Sequence, residues 1–190
     1  MAYKKQRLLK LFFIFILIGV IGACKENPTQ KIIRKNVGKK ISMEGLDSVR
    51  FLNSILSYNE FRKKYQYVCI IYIDQDCSVC KTKVLEWKMK RDLLKKLPDN
   101  IAYLFLYRGD RPERYFSELS EAYELTKDDL DFHFFFIQDV GFKFVSRNQE
   151  IPQMIIDASI LIDKNDRIAV IGSPFLNASM MKLYEKVLSN

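Results

Sequence analysis

Apolar and polar positions change their spacing several times along the chain, and each change marks an element. From Tyr67 to Asp74, YVCIIYID is a continuous apolar run rich in Ile, Val and Tyr, the pattern of a strand buried on both faces. The segment from Ser78 to about Leu97 contains no Gly or Pro, is rich in Lys and Leu, and ends at Pro98. It predicts a helix. Cys80, Val84, Trp87 and Leu94 fall on one stripe of that helix, shared with Arg91, so Trp87 is expected to pack helix against sheet. IAYLFLYR, from Ile101, predicts a second buried strand, and RPERYFSELSEAYEL, from Arg111, a second helix with Pro112 in its first turn. DFHFFFIQD, from Asp131, predicts a third strand. ASILIDKNDRIAVIG, from Ala158, predicts a hairpin turning at KND, and NASMMKLYEKVLS a closing amphipathic helix capped by Asn177 or Ser179. This order implies an α/β domain, a central mixed sheet with helices on both faces.

The first 23 residues follow a different logic. A basic head (Lys4, Lys5, Arg7, Lys10), an apolar run from Leu11 to Ile21 and small residues before Cys24 form the layout of a secretory signal. The run is shorter than the roughly 20 residues of a stable bilayer span, so export is expected rather than permanent insertion. IGAC resembles the lipobox of bacterial lipoproteins. That resemblance implies a lipid on Cys24, a membrane tether, and a body outside the cytoplasm, facing the periplasm or the cell surface. An uncleaved anchor helix ending at Cys24 is the alternative. CKEN is similar to the export tag of surface lipoproteins in Bacteroidetes. Residues 24–40, polar and containing Pro28 and Gly38, read as a tether with a short leading strand, and 41–190 as one domain. Four of the 31 Lys and Arg residues precede Cys24 and no acidic residue does, so the net charge of +8 falls to +4 without the leader. With no basic stripe and interleaved aromatics, nucleic acid is not an expected partner.

Two cysteines between a buried strand and a helix, further βα units, then a hairpin and helix resemble the thioredoxin-like superfamily. The closer likeness is to membrane-tethered redoxin or TlpA-type lipoproteins of Bacteroidetes. It extends from roughly Val37 to Asn190 and rests on VGKKI, DCSVCKTKVLEWK, NQEIP, ASILIDKNDRI and IGSPFLN. The resemblance implies a thiol-disulfide oxidoreductase that needs no cofactor. Its partners would be a protein or peptide thiol substrate and a redox partner that recycles the pair.

The residues themselves support that chemistry at Cys77 and Cys80. A sulfur at a helix start meets unpaired N–H groups and the positive end of the helix dipole, which favours the thiolate. Cys77 is placed as the nucleophile, and Cys80, one turn on, as the group that resolves a mixed disulfide. A structural zinc site needs four ligands. Cys24 is assigned to lipid, Cys69 lies inside an apolar strand, and His133 is the only histidine, so the ligand count fails. A static disulfide or two inert thiols remains as the other reading of the pair. Cys69 reads as a small buried apolar residue and His133 as a histidine at the core margin.

Three positions depart from the family. Asp76 stands where an aromatic usually precedes the first cysteine, and its carboxylate, with Asp74 nearby, opposes a thiolate at Cys77. The proline that faces the cysteines would fall near Asp157 or Ala158, where none is present; Pro152 lies about five residues early. The strand before the motif lacks the acidic residue of cytoplasmic thioredoxins. A substrate groove is therefore expected near Ile151, Pro152 and Asp157, with Asp157 a candidate proton acceptor for Cys80. The alternative function is a binding module on a degenerate scaffold.

Overall fold

The computed structural model describes residues 27–51, 54–109 and 134–189. The chain divides into two units, Met1–Lys35 and Asn36–Asn190. Helix α1, Pro28–Asn36, stands where a short leading strand was expected: Pro28 opens it, and Arg34 and Lys35 sit in its last turn, where a cation complements the dipole. Lys40 forms only an isolated bridge to Arg167. Among the described residues no helix is long and apolar enough to cross a membrane. The leader, Cys24, His133 and the helix expected from Arg111 lie outside the described residues.

In the second unit the elements run β1 (Ser48–Phe51), β2 (Ser54–Ser57), α2 (Tyr58–Lys64), β3 (Tyr67–Asp74), α3 (Ser78–Met89), α4 (Arg91–Leu94), β4 (Ile101–Arg108), β5 (Phe134–Asp139), α5 (Lys143–Arg147), α6 (Gln153–Ile156), β6 (Ile160–Ile162), β7 (Ile168–Ile171) and α7 (Ala178–Leu188). They build a seven-stranded sheet in the order β2-β1-β5-β4-β3-β6-β7. β3, β4 and β5 are parallel, and β6, β7 and the β1–β2 hairpin complete the sheet with antiparallel pairing. The sheet is therefore mixed, as expected.

Why β3 and β4 occupy the centre follows from their sequences. Seven of eight residues in each are buried, a burden that only a strand covered on both faces can carry. Period-two alternation splits them between two layers. Tyr67, Cys69, Ile71 and Ile73 share a core with Cys80, Val84 and Trp87 of α3 and with Tyr184 and Leu188 of α7. Trp87, 1% exposed, sets its ring 5.4 Å from Tyr103 and 4.8 Å from Phe175. On the opposite face Tyr72 stacks on Phe144 of α5 and Phe61 of α2 packs on Phe135.

The helix expected from Ser78 to Leu97 is interrupted. Lys90 leaves helical geometry at φ −95°, ψ 7°, and α4 restarts at Arg91. The terminal hairpin turns where expected: Asp163 Oδ1 accepts the N–H groups of Asn165 and Arg167, and Asp166 takes the left-handed conformation at φ 57°. Asn177, not Ser179, caps α7, its Oδ1 accepting the Met180 N–H at 2.9 Å.

Candidate active site

Parallel register aligns the carboxyl ends of three strands: Asp74 pairs with Arg108, and Arg108 with Asp139. A guanidinium thus sits in line between two carboxylates at the edge where a parallel sheet commonly builds its sites. Arg108 forms an ion pair with Asp74 Oδ2 and lies 4.0 Å over the ring of Phe142. Asp139 is buried and accepts the N–H groups of Lys143 at 2.7 Å and Phe144 at 3.1 Å. Its burial raises the carboxyl pKa, and those two hydrogen bonds act against the rise.

From this edge the chain turns into the cysteines. Gln75 N–H donates to Arg108 O at 3.0 Å, Asp76 N–H to Asp74 Oδ1 at 3.0 Å, and Cys77 N–H to Asp74 O at 3.1 Å. Asp74 is the organiser of the turn: one carboxylate oxygen holds Arg108, the other holds the backbone of Asp76. Gly109 allows the close approach of strand and loop, because a Cβ there would run into the side chains of Gln75 and Tyr107.

Cys77 is the N-cap of α3, and its Sγ accepts the Cys80 N–H at 3.2 Å. The sulfur occupies the place that a capping oxygen holds in other helices. Cys77 and Cys80 are joined as a disulfide, with Cα atoms 5.3 Å apart. Cys77 is partly exposed, whereas Cys80 is 6% exposed and belongs to the core beneath α3. Of the two sulfur-bearing residues, Cys77 is therefore the more accessible. Cys69 is fully buried, its Sγ 3.6 Å from Tyr184 Oη, and burial pushes its thiol up to about 12.

The other candidate residues lie along the segment that leads to β6. Ile151 is buried at 3% exposure and is a core residue in this arrangement. Pro152 is exposed and opens α6 at φ −55°, ψ 139°. No peptide bond among the described residues is cis. The Asp157 carboxylate is exposed and accepts a hydrogen bond from Gln153 at 2.9 Å, while its backbone oxygen accepts one from Lys83 of α3 at 2.9 Å. Ser159, next to β6, adopts the left-handed region at φ 47°. Asp76 is exposed on the cysteine loop.

Two cavities flank Arg108 and Phe142. One, of about 240 Å³, is lined by Gln75, Asp76, Gly109 and Asp139; the other, of about 450 Å³, by Tyr72, Asp74, Val145 and Gln153. Neither Arg108 nor Phe142 was expected from sequence. The signal for Arg108 was available, as the one charged residue of the apolar β4 run, but its partner could be named only once the register was known. Among the described residues no three His, Cys, Asp or Glu side chains are grouped to hold a metal ion.

No family model matches the sequence, and no curated protein matches it. Solved structures do. The thioredoxin domain of a thiol-disulfide oxidoreductase from Bacteroides vulgatus aligns at 17% identity and TM-score 0.51, over 80% of this chain and 97% of that one. A putative electron transfer protein from Aquifex aeolicus aligns at 10% identity and TM-score 0.53, over 81% and 99% of the two chains. A putative protein disulfide isomerase from Bacteroides thetaiotaomicron aligns at 14% identity and TM-score 0.52, over 82% and 95%. The likeness lies in the fold: this chain is built on the thioredoxin-like scaffold.

Proposed function

We propose that this protein is a thiol-disulfide oxidoreductase that works outside the cytoplasm, held to a membrane by lipid on Cys24. The observation that carries the reading is the Cys77–Cys80 disulfide at the N-terminus of α3, with one sulfur partly exposed and its partner buried. In the reducing direction the Cys77 thiolate attacks a substrate disulfide, forming a Cys77–S–S bond and expelling one substrate thiolate. Cys80, as thiolate, then attacks the Cys77 sulfur, restoring the internal disulfide and releasing the second substrate thiolate. Two electrons pass to the substrate, and solvent protonates what leaves. The oxidising direction is the same sequence reversed, and in both a dithiol or disulfide partner restores the pair.

A Cys80→Ser variant tests this reading, since it cannot complete the second step. Incubation with a disulfide-containing peptide should accumulate an adduct at Cys77, seen by mass spectrometry and lost on reduction. No adduct at Cys77 would sink the enzyme reading. The extracytoplasmic placement draws support from the basic head, apolar run and IGAC of residues 1–24. Cys24→Ser should move the protein from the membrane fraction to the soluble one.

A second reading, a binding module on a scaffold that has ceased to catalyse, is favoured by one feature. The segment before β6 reaches the strand through Ser159 at positive φ and contains no cis proline among its described residues. Full biological activity of a Cys77→Ser, Cys80→Ser double variant would support binding over exchange.

A further inference from the structure

β6 pairs with β3 through three rungs, Val68 with Ile162, Cys69 with Leu161 and Ile70 with Ile160, and there the pairing stops. A continued ladder would set Tyr72 opposite Ala158. Instead Ser159 turns away at φ 47°, and the Ala158 N–H donates to Ile155 O at 3.1 Å, closing α6. The half of β3 that leads to Cys77 therefore has no ladder partner on this side among the described residues. Lys83 of α3 reaches across the opening. Its Nζ donates to Tyr72 O at 3.2 Å and to Asp157 O at 2.9 Å.

One side chain thus joins the strand that runs into Cys77, the helix that carries Cys80 and the segment ahead of β6. Of the two carbonyls it holds, Tyr72 O is part-buried and Asp157 O exposed, so the bond to Tyr72 is the one whose loss would be felt most. Lys83 also stands three residues beyond Cys80, a spacing that brings side chains together on one helix face.

We infer that Lys83 is a positioning residue for exchange at Cys77 and Cys80, replacing the absent rungs and standing one helical turn from Cys80, whose sulfur leaves as a thiolate when the Cys77 sulfur is attacked. The inference rests on the oxidoreductase reading above. Among the described charges, Asp74 at the end of β3 and Asp76 of the loop stand beside Cys77 in the chain and oppose a thiolate, Arg108 of β4 is engaged with Asp74, and Asp157 at the end of α6 faces Lys83 itself. Lys83 favours the thiolate from within the cysteine helix. A cation fixed near a forming thiolate stabilises the reduced pair, which makes the disulfide more oxidising. Burial holds the Lys83 pKa below the usual lysine value, with the Asp157 carboxylate acting in the other direction.

The test compares the native full chain with Lys83→Met and Lys83→Arg in glutathione redox buffers, together with the pH profile of Cys77 alkylation. Lys83→Met should shift the equilibrium about tenfold toward the disulfide, roughly 30 mV for a two-electron couple, and move alkylation to higher pH. Lys83→Arg, which keeps the charge and the donors, should stay within about twofold of native. Should the methionine variant fail to fold, Lys83→Gln keeps a donor without the charge and should show the same direction of shift. An unchanged equilibrium and alkylation profile in the folded neutral variant, whatever its melting temperature, would overturn the role of Lys83 alone. A native chain inert toward glutathione removes both this inference and the reading beneath it.

Discussion

Cys69 and Cys77 come from one strand-turn-helix unit and are chemically unlike. Cys69 lies within β3, facing the core, with its thiol pushed up to about 12, so at neutral pH almost none is thiolate. After gentle reduction, iodoacetamide at pH 8 should label Cys77 in the folded protein and leave Cys69 untouched until urea is added, as read by peptide mass mapping. Equal labelling of both would contradict the burial assigned to Cys69. Asp74 offers a second test, because it holds Arg108 and the Asp76 backbone at once. Asp74→Ala should lower the unfolding free energy by about 1–2 kcal/mol in urea titrations, a modest value because the ion pair is only partly buried. The placement of Cys77 and Cys80 at a helix start and the burial of Cys69 were legible because residue type, spacing and apolar neighbours all lie within one short stretch. Arg108 with Asp74, and Lys83 with Tyr72 and Asp157, were not. Those contacts depend on strand register and on the place where a ladder ends, and neither is written in local sequence.

At the scale of elements, a strong period was a sufficient guide. β3, β4, the β6–β7 hairpin and α7 follow from long apolar runs or a clear amphipathic stripe with a cap. The β1–β2 hairpin escaped notice because its strands are four residues long and carry Ser and Arg among their apolar positions. For α2 a signal existed: Ser57 and Glu60 form a capping box, the serine oxygen accepting the Glu60 N–H while the glutamate accepts the Ser57 N–H. α5 and α6 are too short to show a period. Trp87 carries much of the contact between α3 and the sheet, so Trp87→Ala should cost about 3–5 kcal/mol. Asn177→Ala, which removes only a cap, should cost about 1 kcal/mol. Chemical denaturation of the two variants checks both values, and a tryptophan variant as mild as the cap variant would contradict the packing described for α3.

Across the whole molecule, buried phenols and a buried thiol link stability to pH. Burial raises Tyr58, Tyr103 and Tyr184 well above the usual phenol value, and Tyr72 and Cys69 to about 12. The unfolded chain ionises its thiol near about 8.5 and its phenols near about 10. Between those values and the raised folded ones the unfolded state holds fewer protons, so stability falls as pH rises. The urea midpoint should be lower at pH 10.5 than at pH 8; an unchanged midpoint would contradict the burial of these groups. The same assembly that buries them presents the cysteine pair at the carboxyl edge of the sheet, with Cys77 capping α3 and the β3–β4 register supplying the Asp74–Arg108 brace. Redox titration of the native chain against glutathione tests this arrangement most directly. Exchange chemistry predicts one two-electron transition at Cys77–Cys80, more positive than about −300 mV, below which structural disulfides commonly lie. A disulfide that stays closed beyond that point, or a pair of thiols that never closes, would contradict it.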